Sequence, residues 1–385
     1  MKELELRIDS LAAGGDGVAR GPDGRVVFVP ATVPGDRVRV RIEKQLPRFA
    51  RGRVERLLEP GDARVEPRCP VYGRCGGCTW QHVDYAAQLE AKQRILSDAL
   101  ARIGGISLAE LPAVHPSPRA YAYRSRARVH VERGRVGYRE RGSHQLCAVT
   151  SCPVLVPELD RKLGELASAP PADDGEWELA CASGEVRASP LPADAEAHGP
   201  SHLELRVAGE RLRFSAGVFS QANAMLLETM LGRVGECVGS GEQLVELFAG
   251  SGLFTLSLAR RFGGVVAVES NPAAAADLKS NLARAGLSNA RVLCGRVEEA
   301  REALAGLHPQ AVLLDPPRVG LTAGGMELVT ELAAERVAYL SCDPATLARD
   351  LRALCARGYR LESVEGFDLF PQTHHLEALA VLEKA

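Results

Sequence analysis

From about residue 241 the chain alternates short apolar runs with stretches of helical spacing. Gln243 to Phe248, Val265-Val266-Ala267-Val268, Ala311-Val312-Leu313-Leu314 and Val337 to Leu340 each read as a buried strand. Apolar strands of this kind, separated by helices, predict a parallel sheet covered on both faces. Such sheets place ligands outside the carboxyl ends of their strands. The residues that follow each strand are therefore the candidates for chemistry.

After the first strand comes the tight turn Ala249-Gly250-Ser251-Gly252, and a helix is expected over Leu253 to Arg260. The glycines let the backbone come close to a ligand at a helix N-terminus. The second strand ends at Glu269, where an acid can take both hydroxyls of a ribose. The third ends at Asp315-Pro316-Pro317-Arg318. The fourth is stopped by Ser341, Asp343 and Pro344, and a helical pattern starts at about Ala345. Cys342 is thus placed at a strand tip, beside Asp315 and Arg318. A thiol near helix N–H groups is expected to have a lowered pKa and to act as a nucleophile. Tyr359 to Leu382 reads as a closing strand pair, and its loop Phe370-Pro371-Gln372-Thr373-His374-His375-Leu376-Glu377 adds a carboxylate, Glu377.

At 385 residues the chain has room for about two or three domains. No stretch approaches a membrane span, and Met1-Lys2-Glu3-Leu4 does not open a signal peptide, so a cytoplasmic location is expected. In that compartment ten cysteines point to metal or catalysis before disulfides. Nothing calls for a membrane or an obligate protein partner.

Residues 1–58 read as a small all-β barrel, with a last strand beginning at Gly52. Arg37, Arg39 and Arg41 alternate on one strand and suit either phosphates or solvent. Cys69, Cys75 and Cys78 follow at x5 and x2 spacing, with Cys152 as the best fourth ligand and Cys147 behind it. Spacing alone fits zinc or a [4Fe–4S] cluster. Tyr85 to Ile103 reads as a helix, and His82 before it as structural. Residues 119–141 carry eight Arg against two Glu, interleaved with Tyr121, Tyr123 and Tyr138. Arg124, Arg126 and Arg128 would share a strand face suited to RNA phosphates and unstacked bases. Residues 168–200 read as loops.

Gly14-Gly15-Asp16-Gly17-Val18-Ala19, Phe28-Val29-Pro30 and Pro34-Gly35-Asp36 resemble a TRAM domain, an OB-like RNA-binding module. Glu246-x3-Gly250-x-Gly252 with Glu269 resembles a class I methyltransferase that binds S-adenosylmethionine. Arg318, where amino-methylating enzymes carry an aromatic residue, argues against an exocyclic amine as target. The whole chain resembles the RNA uracil-5 methyltransferases that combine a TRAM domain with an iron–sulfur cluster. The motifs that carry this are the cysteine set, Phe219-Ser220-Gln221-Ala222-Asn223, the glycine turn, Asp315-Pro316-Pro317-Arg318, Ser341-Cys342-Asp343-Pro344-Ala345-Thr346 and His375-Leu376-Glu377.

The resemblance implies a Rossmann-like class I methyltransferase domain at 219–385. It also implies an OB-like TRAM barrel at 1–58 and a β-rich cluster-binding domain at 59–218, whose helix 83–105 packs on the catalytic domain. It implies a [4Fe–4S] cluster on Cys69, Cys75, Cys78 and Cys152. Gln221, Glu246, Phe248, Gly250, Gly252, Glu269 and Asp315 are expected around the cofactor, and Asp315, Arg318, Arg124 and Arg126 around the RNA. Arg296 departs from the Asp or Asn that the family often has beside the adenine. The implied reaction is attack of Cys342 on C6 of uracil, methylation at C5 and removal of the C5 proton by Glu377. Analogy favours 23S ribosomal RNA over transfer RNA. The competing readings are a cytosine-5 enzyme, which would carry a Pro-Cys pair that is absent here, and a non-catalytic RNA-binding factor.

Overall fold

The computed structural model describes residues 3–192 and 200–385. Among these described residues the strands form four sheets. The first contains β1 (Glu3–Arg7), β2 (Ser10–Leu11), β3 (Gly17–Arg20), β4 (Val26–Val29), β5 (Arg37–Gln45) and β6 (Phe49–Glu59), in the order β1-β5-β6-β4-β3-β2. Period-two alternation builds it: Val38 and Val40 are buried in its core, while Arg37, Arg39 and Arg41 point outward. Those arginines pair with Glu59, Glu5 and Glu55, so the basic stripe is largely neutralised by neighbouring strands. The strand order begins with β1 and ends with β2, which only Ile8 and Asp9 separate along the chain. The last strand starts at Phe49, three residues before Gly52.

Helix α1 (Tyr85–Ala99) is capped by Asp84 and continues through a π-helical turn, Leu100–Gly104. Its Leu96 and the following Leu100 enter the same core as Val245, Val312 and Tyr339. The short β7 (Val114–His115) then joins the last sheet of the chain. The central sheet holds β8 (Arg126–Glu132), β9 (Arg135–Arg139) and β10 (Leu146–Ala148). After α2 (Pro157–Ser168) it is completed by β11 (Gly175–Ala182) and β12 (Glu185–Leu191), in the order β10-β9-β8-β11-β12. The loop expectation for 168–200 is therefore wrong for 175–191, while 193–199 lie outside the described residues. Pro190 belongs to β12 at the sheet edge, the position where a strand tolerates proline. A hairpin of β13 (His202–Val207) and β14 (Glu210–Ser215) leads on to the C-terminal half.

There α3 (Leu227–Val238), β15 (Gly241–Leu247), α4 (Leu253–Leu258), β16 (Phe262–Glu269), α5 (Pro272–Arg284), β17 (Ala290–Cys294) and α6 (Arg301–Leu304) follow in turn. They are followed by β18 (Ala311–Leu314), α7 (Ala323–Leu332), β19 (Arg336–Ser341), α8 (Pro344–Cys355), β20 (Tyr359–Phe367) and β21 (Glu377–Lys384). The sheet order is β17-β16-β15-β18-β19-β21-β20-β7. β15 to β19 are parallel, and β21 inserts antiparallel between β19 and β20. The strand order reverses at β15, which opens a crevice at the carboxyl ends of β15 and β18. Among the described residues no helix is long and apolar enough to cross a membrane.

Candidate active site

The crevice holds a cavity of about 620 Å³. One half is built by the turn after β15. Phe248 takes φ +64°, a left-handed backbone that bulky side chains rarely adopt, and this starts the sharp turn at Ala249-Gly250. Gly252 has φ +97°, and a Cβ there would lie 2.4 Å from Leu278 Cδ1, so only glycine fits. Glu269, at the tip of β16, is held by the Gly250 amide (2.8 Å) and the Asn271 amide (2.6 Å). Its carboxylate therefore ties the glycine turn to the next strand. Gln221, Phe248, Gly250 and Glu269 all line the cavity.

Glu246 does not. It is fully enclosed in β15 beside Thr255, and neither Glu246 Oε2 nor Thr255 Oγ1 has a hydrogen-bond partner among the described residues. Burial pushes Glu246 up to about 8, with Asp315 and Glu269 adding to the shift. The expectation that Glu246 lines the cofactor site is corrected: it lies behind the turn. Gly252 also lies off the cavity wall and acts through the turn's geometry.

The other half of the cavity brings together Asp315, Arg318, Cys342, His375 and Glu377 from three separate strand ends. The loop after β18 is pinned to α8. Thr346 Oγ1 donates to the Arg318 carbonyl (3.0 Å), Arg349 Nη2 to the Val319 carbonyl (2.8 Å), and Asp350 accepts from the Leu321 amide (2.9 Å). Asp350 also accepts from Tyr339 Oη (2.6 Å) on β19, so one buried carboxylate fixes loop, strand and helix together. Asp343 caps α8 by accepting from the Thr346 amide (2.8 Å). The free helix N–H groups are thus partly taken by Asp343, not offered to the thiol.

This changes the expectation for Cys342. Burial pushes its thiol up to about 11; the charge of Glu377 adds to that, and Arg318 opposes it. Asp315 is pushed up to about 7 by burial. Glu377 is held well above the usual carboxylate range, first by burial and then by the charge of Asp315. Two carboxyls so close in an enclosed site do not both ionise easily.

Glu377 opens β21, and the chain leading into it is clamped by earlier segments. Gln88 and Gln372 exchange hydrogen bonds: the Gln372 amide donates to Gln88 Oε1 (2.9 Å) and Gln88 Nε2 to Gln372 Oε1 (3.1 Å). Lys92 Nζ donates to Asp368 Oδ1 (2.6 Å), both side chains being fully buried. Tyr123 Oη donates to the Pro371 carbonyl (2.9 Å). The sequence did not reveal these pairings. Each joins ordinary residue types more than two hundred positions apart.

A second cavity, of about 420 Å³, shares Phe219, Ser220 and Phe370 with the first. Cys69, Cys75, Cys78 and Cys152 line it, together with Arg124, Arg126 and Arg128. Cys147 is not on its wall; its sulfur accepts from Arg74 Nε (3.4 Å). Burial pushes the thiols of Cys75 and Cys78 up to about 11 and about 12, and the other cysteines reinforce the shift. Among the described residues no group of three or more His, Cys, Asp or Glu is arranged to hold a metal ion. Arg126 is also corrected as an open RNA contact. Its guanidinium is bound to Glu178 and to the Val218 carbonyl (2.7 Å), and Glu178 pairs in turn with Arg187. Arg124 donates to the Arg126 carbonyl (2.9 Å) while facing the cysteines.

Residues 201–385 match the tRNA (Uracil-5-)-methyltransferase family, and residues 1–54 match the TRAM domain. The 23S rRNA (uracil(1939)-C(5))-methyltransferase RlmD of Edwardsiella ictaluri is 36% identical, over 100% of this chain and 96% of its own length. That of Pectobacterium atrosepticum is 35% identical, over 99% of this chain and 93% of its own. An RNA methyltransferase of Thermosynechococcus vestitus is 34% identical, over 98% and 97%. Among solved structures, the tRNA (uracil-54, C5)-methyltransferase of Pyrococcus abyssi, in complex with S-adenosyl-L-homocysteine, superposes with a TM-score of 0.78 at 23% identity. It covers 98% of this chain and 100% of its own, and so shares the fold. By sequence along its whole length, the chain belongs to the TRAM-bearing family of RNA uracil-5 methyltransferases.

Proposed function

We propose that this protein methylates C5 of a uridine in 23S ribosomal RNA through a covalent adduct between Cys342 and C6. The observation that carries this is the single cavity in which Cys342, Glu377, Asp315 and Arg318 meet the Gly250 turn and Glu269. Bound S-adenosylmethionine supplies a methyl group on a positively charged sulfur. Uracil C5 is too poor a nucleophile to take it unaided. Cys342 first loses its thiol proton to solvent; attack of the resulting thiolate on C6 forms an S–C bond and moves the C5=C6 electron pair towards C5 and the O4 oxyanion. Arg318 stabilises that oxyanion, and Asp315 holds the N3 edge of the base. C5 then accepts the methyl group. Glu377 removes the C5 proton, and the electron pair re-forms the double bond as the thiolate leaves. The base must leave its stack to reach this cavity, so the target is a flipped or single-stranded uridine.

In this reading residues 1–58 grip RNA, 59–218 form the central unit and 219–385 carry out the chemistry, in the cytoplasm. Cys69, Cys75, Cys78 and Cys152 hold a [4Fe–4S] cluster. What supports it is that the four thiols share one cavity. The cluster would supply a rigid brace for the central unit, since methyl transfer moves no electrons in or out. Arg124 faces this cavity rather than open solvent and orients the loop beside the target.

The test is transfer of labelled methyl to unmodified 23S and transfer RNA, with nucleoside analysis. Label in 5-methyluridine from 23S RNA is the expected result. Label only in transfer RNA would change the substrate, label in 5-methylcytidine would change the base, and no transfer would favour a binding factor.

A further inference from the structure

We infer that His375 is a positioning residue whose Nδ1 anchors the Arg318 guanidinium beside Cys342, and that the turn at Gly15 in the first sheet braces the His374 ring on which His375 packs. The inference rests on the reading that Cys342 attacks the base. Arg318 Nη2 lies 3.5 Å from His375 Nδ1. A guanidinium has only donors, so Nδ1 must accept and the ring must be neutral with its proton on Nε2. Its surroundings agree. Burial, together with His374, Arg318, Lys92 and Arg124, pushes His375 down to about 3, and His374 is pushed down to about 4. Arg318 needs such an anchor. Thr346 fixes its backbone, yet its long side chain is exposed at the mouth of the cavity. The thiol of Cys342 faces Glu377 and Asp315, which disfavour the thiolate, and Arg318, which favours it. Beside the larger effect of burial, where the guanidinium sits therefore bears on how readily the sulfur ionises.

The ring is held from two sides. It packs on His374 at 4.3 Å between centroids and edge-on to Phe370 at 6.0 Å. His374 is fixed in turn by Thr79: its amide donates to Thr79 Oγ1 (3.2 Å), and its Nδ1 lies 3.3 Å from the same hydroxyl. Behind Thr79, Trp80 Nε1 donates to the Gly15 carbonyl (3.0 Å). A Cβ on Gly15 would come within 3.2 Å of both His374 Nδ1 and Thr79 Cβ. The glycine thus lets the turn of the first sheet reach the catalytic loop. That sheet is matched by the TRAM domain, which thereby reaches His374, the neighbour on which the His375 ring packs.

The experiment compares full-length wild-type protein with His375→Ala, His375→Phe and His375→Asn. It measures kcat and KM for methyl transfer, and the rate at which iodoacetamide alkylates Cys342, read by peptide mass, from neutral to alkaline pH. Binding of S-adenosylhomocysteine reports the fold. Alanine and phenylalanine are expected to lower kcat on the order of tenfold with little change in KM, and to move the alkylation profile to higher pH. Asparagine, whose side-chain oxygen can accept from Arg318, is expected to restore most of both. Wild-type kcat and an unmoved profile in His375→Ala would overturn the proposal. So would asparagine as impaired as phenylalanine. If the alanine variant loses cofactor binding, the phenylalanine variant, which keeps the ring packing, decides. Full activity in Cys342→Ala would instead refute the underlying reading, and the alkylation profile stands apart from that result.

Discussion

At the residue scale, the proposed mechanism makes Cys342 and Glu377 a pair, one making a bond that the other allows to break. Without the carboxylate, the methylated adduct keeps its C5 proton and cannot expel the sulfur. Glu377→Gln should therefore accumulate a protein–RNA complex that survives denaturing electrophoresis, and Cys342→Ala should form none. Absence of the trapped complex in Glu377→Gln, with turnover retained, would remove Glu377 as the base. Glu246 gives a second prediction. Its folded pKa of about 8 lies above the ordinary carboxylate value, so its contribution to stability is full at low pH and is lost as pH rises through 8. Glu246→Gln should be close to neutral near pH 5 and stabilising near pH 9, read as a Tm difference; an equal shift at both would refute the assignment. These two residues also show what could be read in advance. Cys342 and Glu377 sit in motifs next to strand ends, and a strand end has one address in a parallel sheet. Glu246 and Arg126 sit inside strands. There the choice of cavity or core depends on packing and on distant partners such as Glu178 for Arg126, which spacing does not reveal.

Among the elements, α1 determines how the last loop is presented. The helix itself was legible from its spacing, and its dependence on residues 368–372 was not. A buried lysine and a buried aspartate are each unremarkable in sequence, and they matter here because they meet. Removing one partner leaves a buried charge alone, which costs about 3–5 kcal/mol. Lys92→Ala should lose that much stability in urea denaturation, while Lys92→Met with Asp368→Asn together should recover a large part of it. Equal losses in the single and double variants would show that packing, not charge, is the cause. Composition misled at β11 and β12. Small and acidic residues suggested loops, yet Trp177, Leu179 and Ala188 alternate inward and build the central core. Two-residue β7 carries too short a pattern to be seen at all, and only its neighbour β20 defines it.

On the scale of the whole molecule, the two cavities meet at Phe219 and Phe370, so the cysteine-lined pocket and the reaction site share a wall. Protein purified without oxygen should show the broad visible absorption of an iron–sulfur cluster, and Cys78→Ser should lose it. Colourless protein with stoichiometric zinc would replace the cluster by a simple ion. The place of β21 carries a different implication. It is the last strand in chain order among the described residues, yet it lies between β19 and β20, and Glu377 is its first residue. A growing polypeptide on the ribosome can lay down β15 to β19 and the nucleophile early. It then carries a half-open sheet until β21 slots into the gap. The nascent chain thus holds Cys342 before Glu377, the proposed base, can reach it.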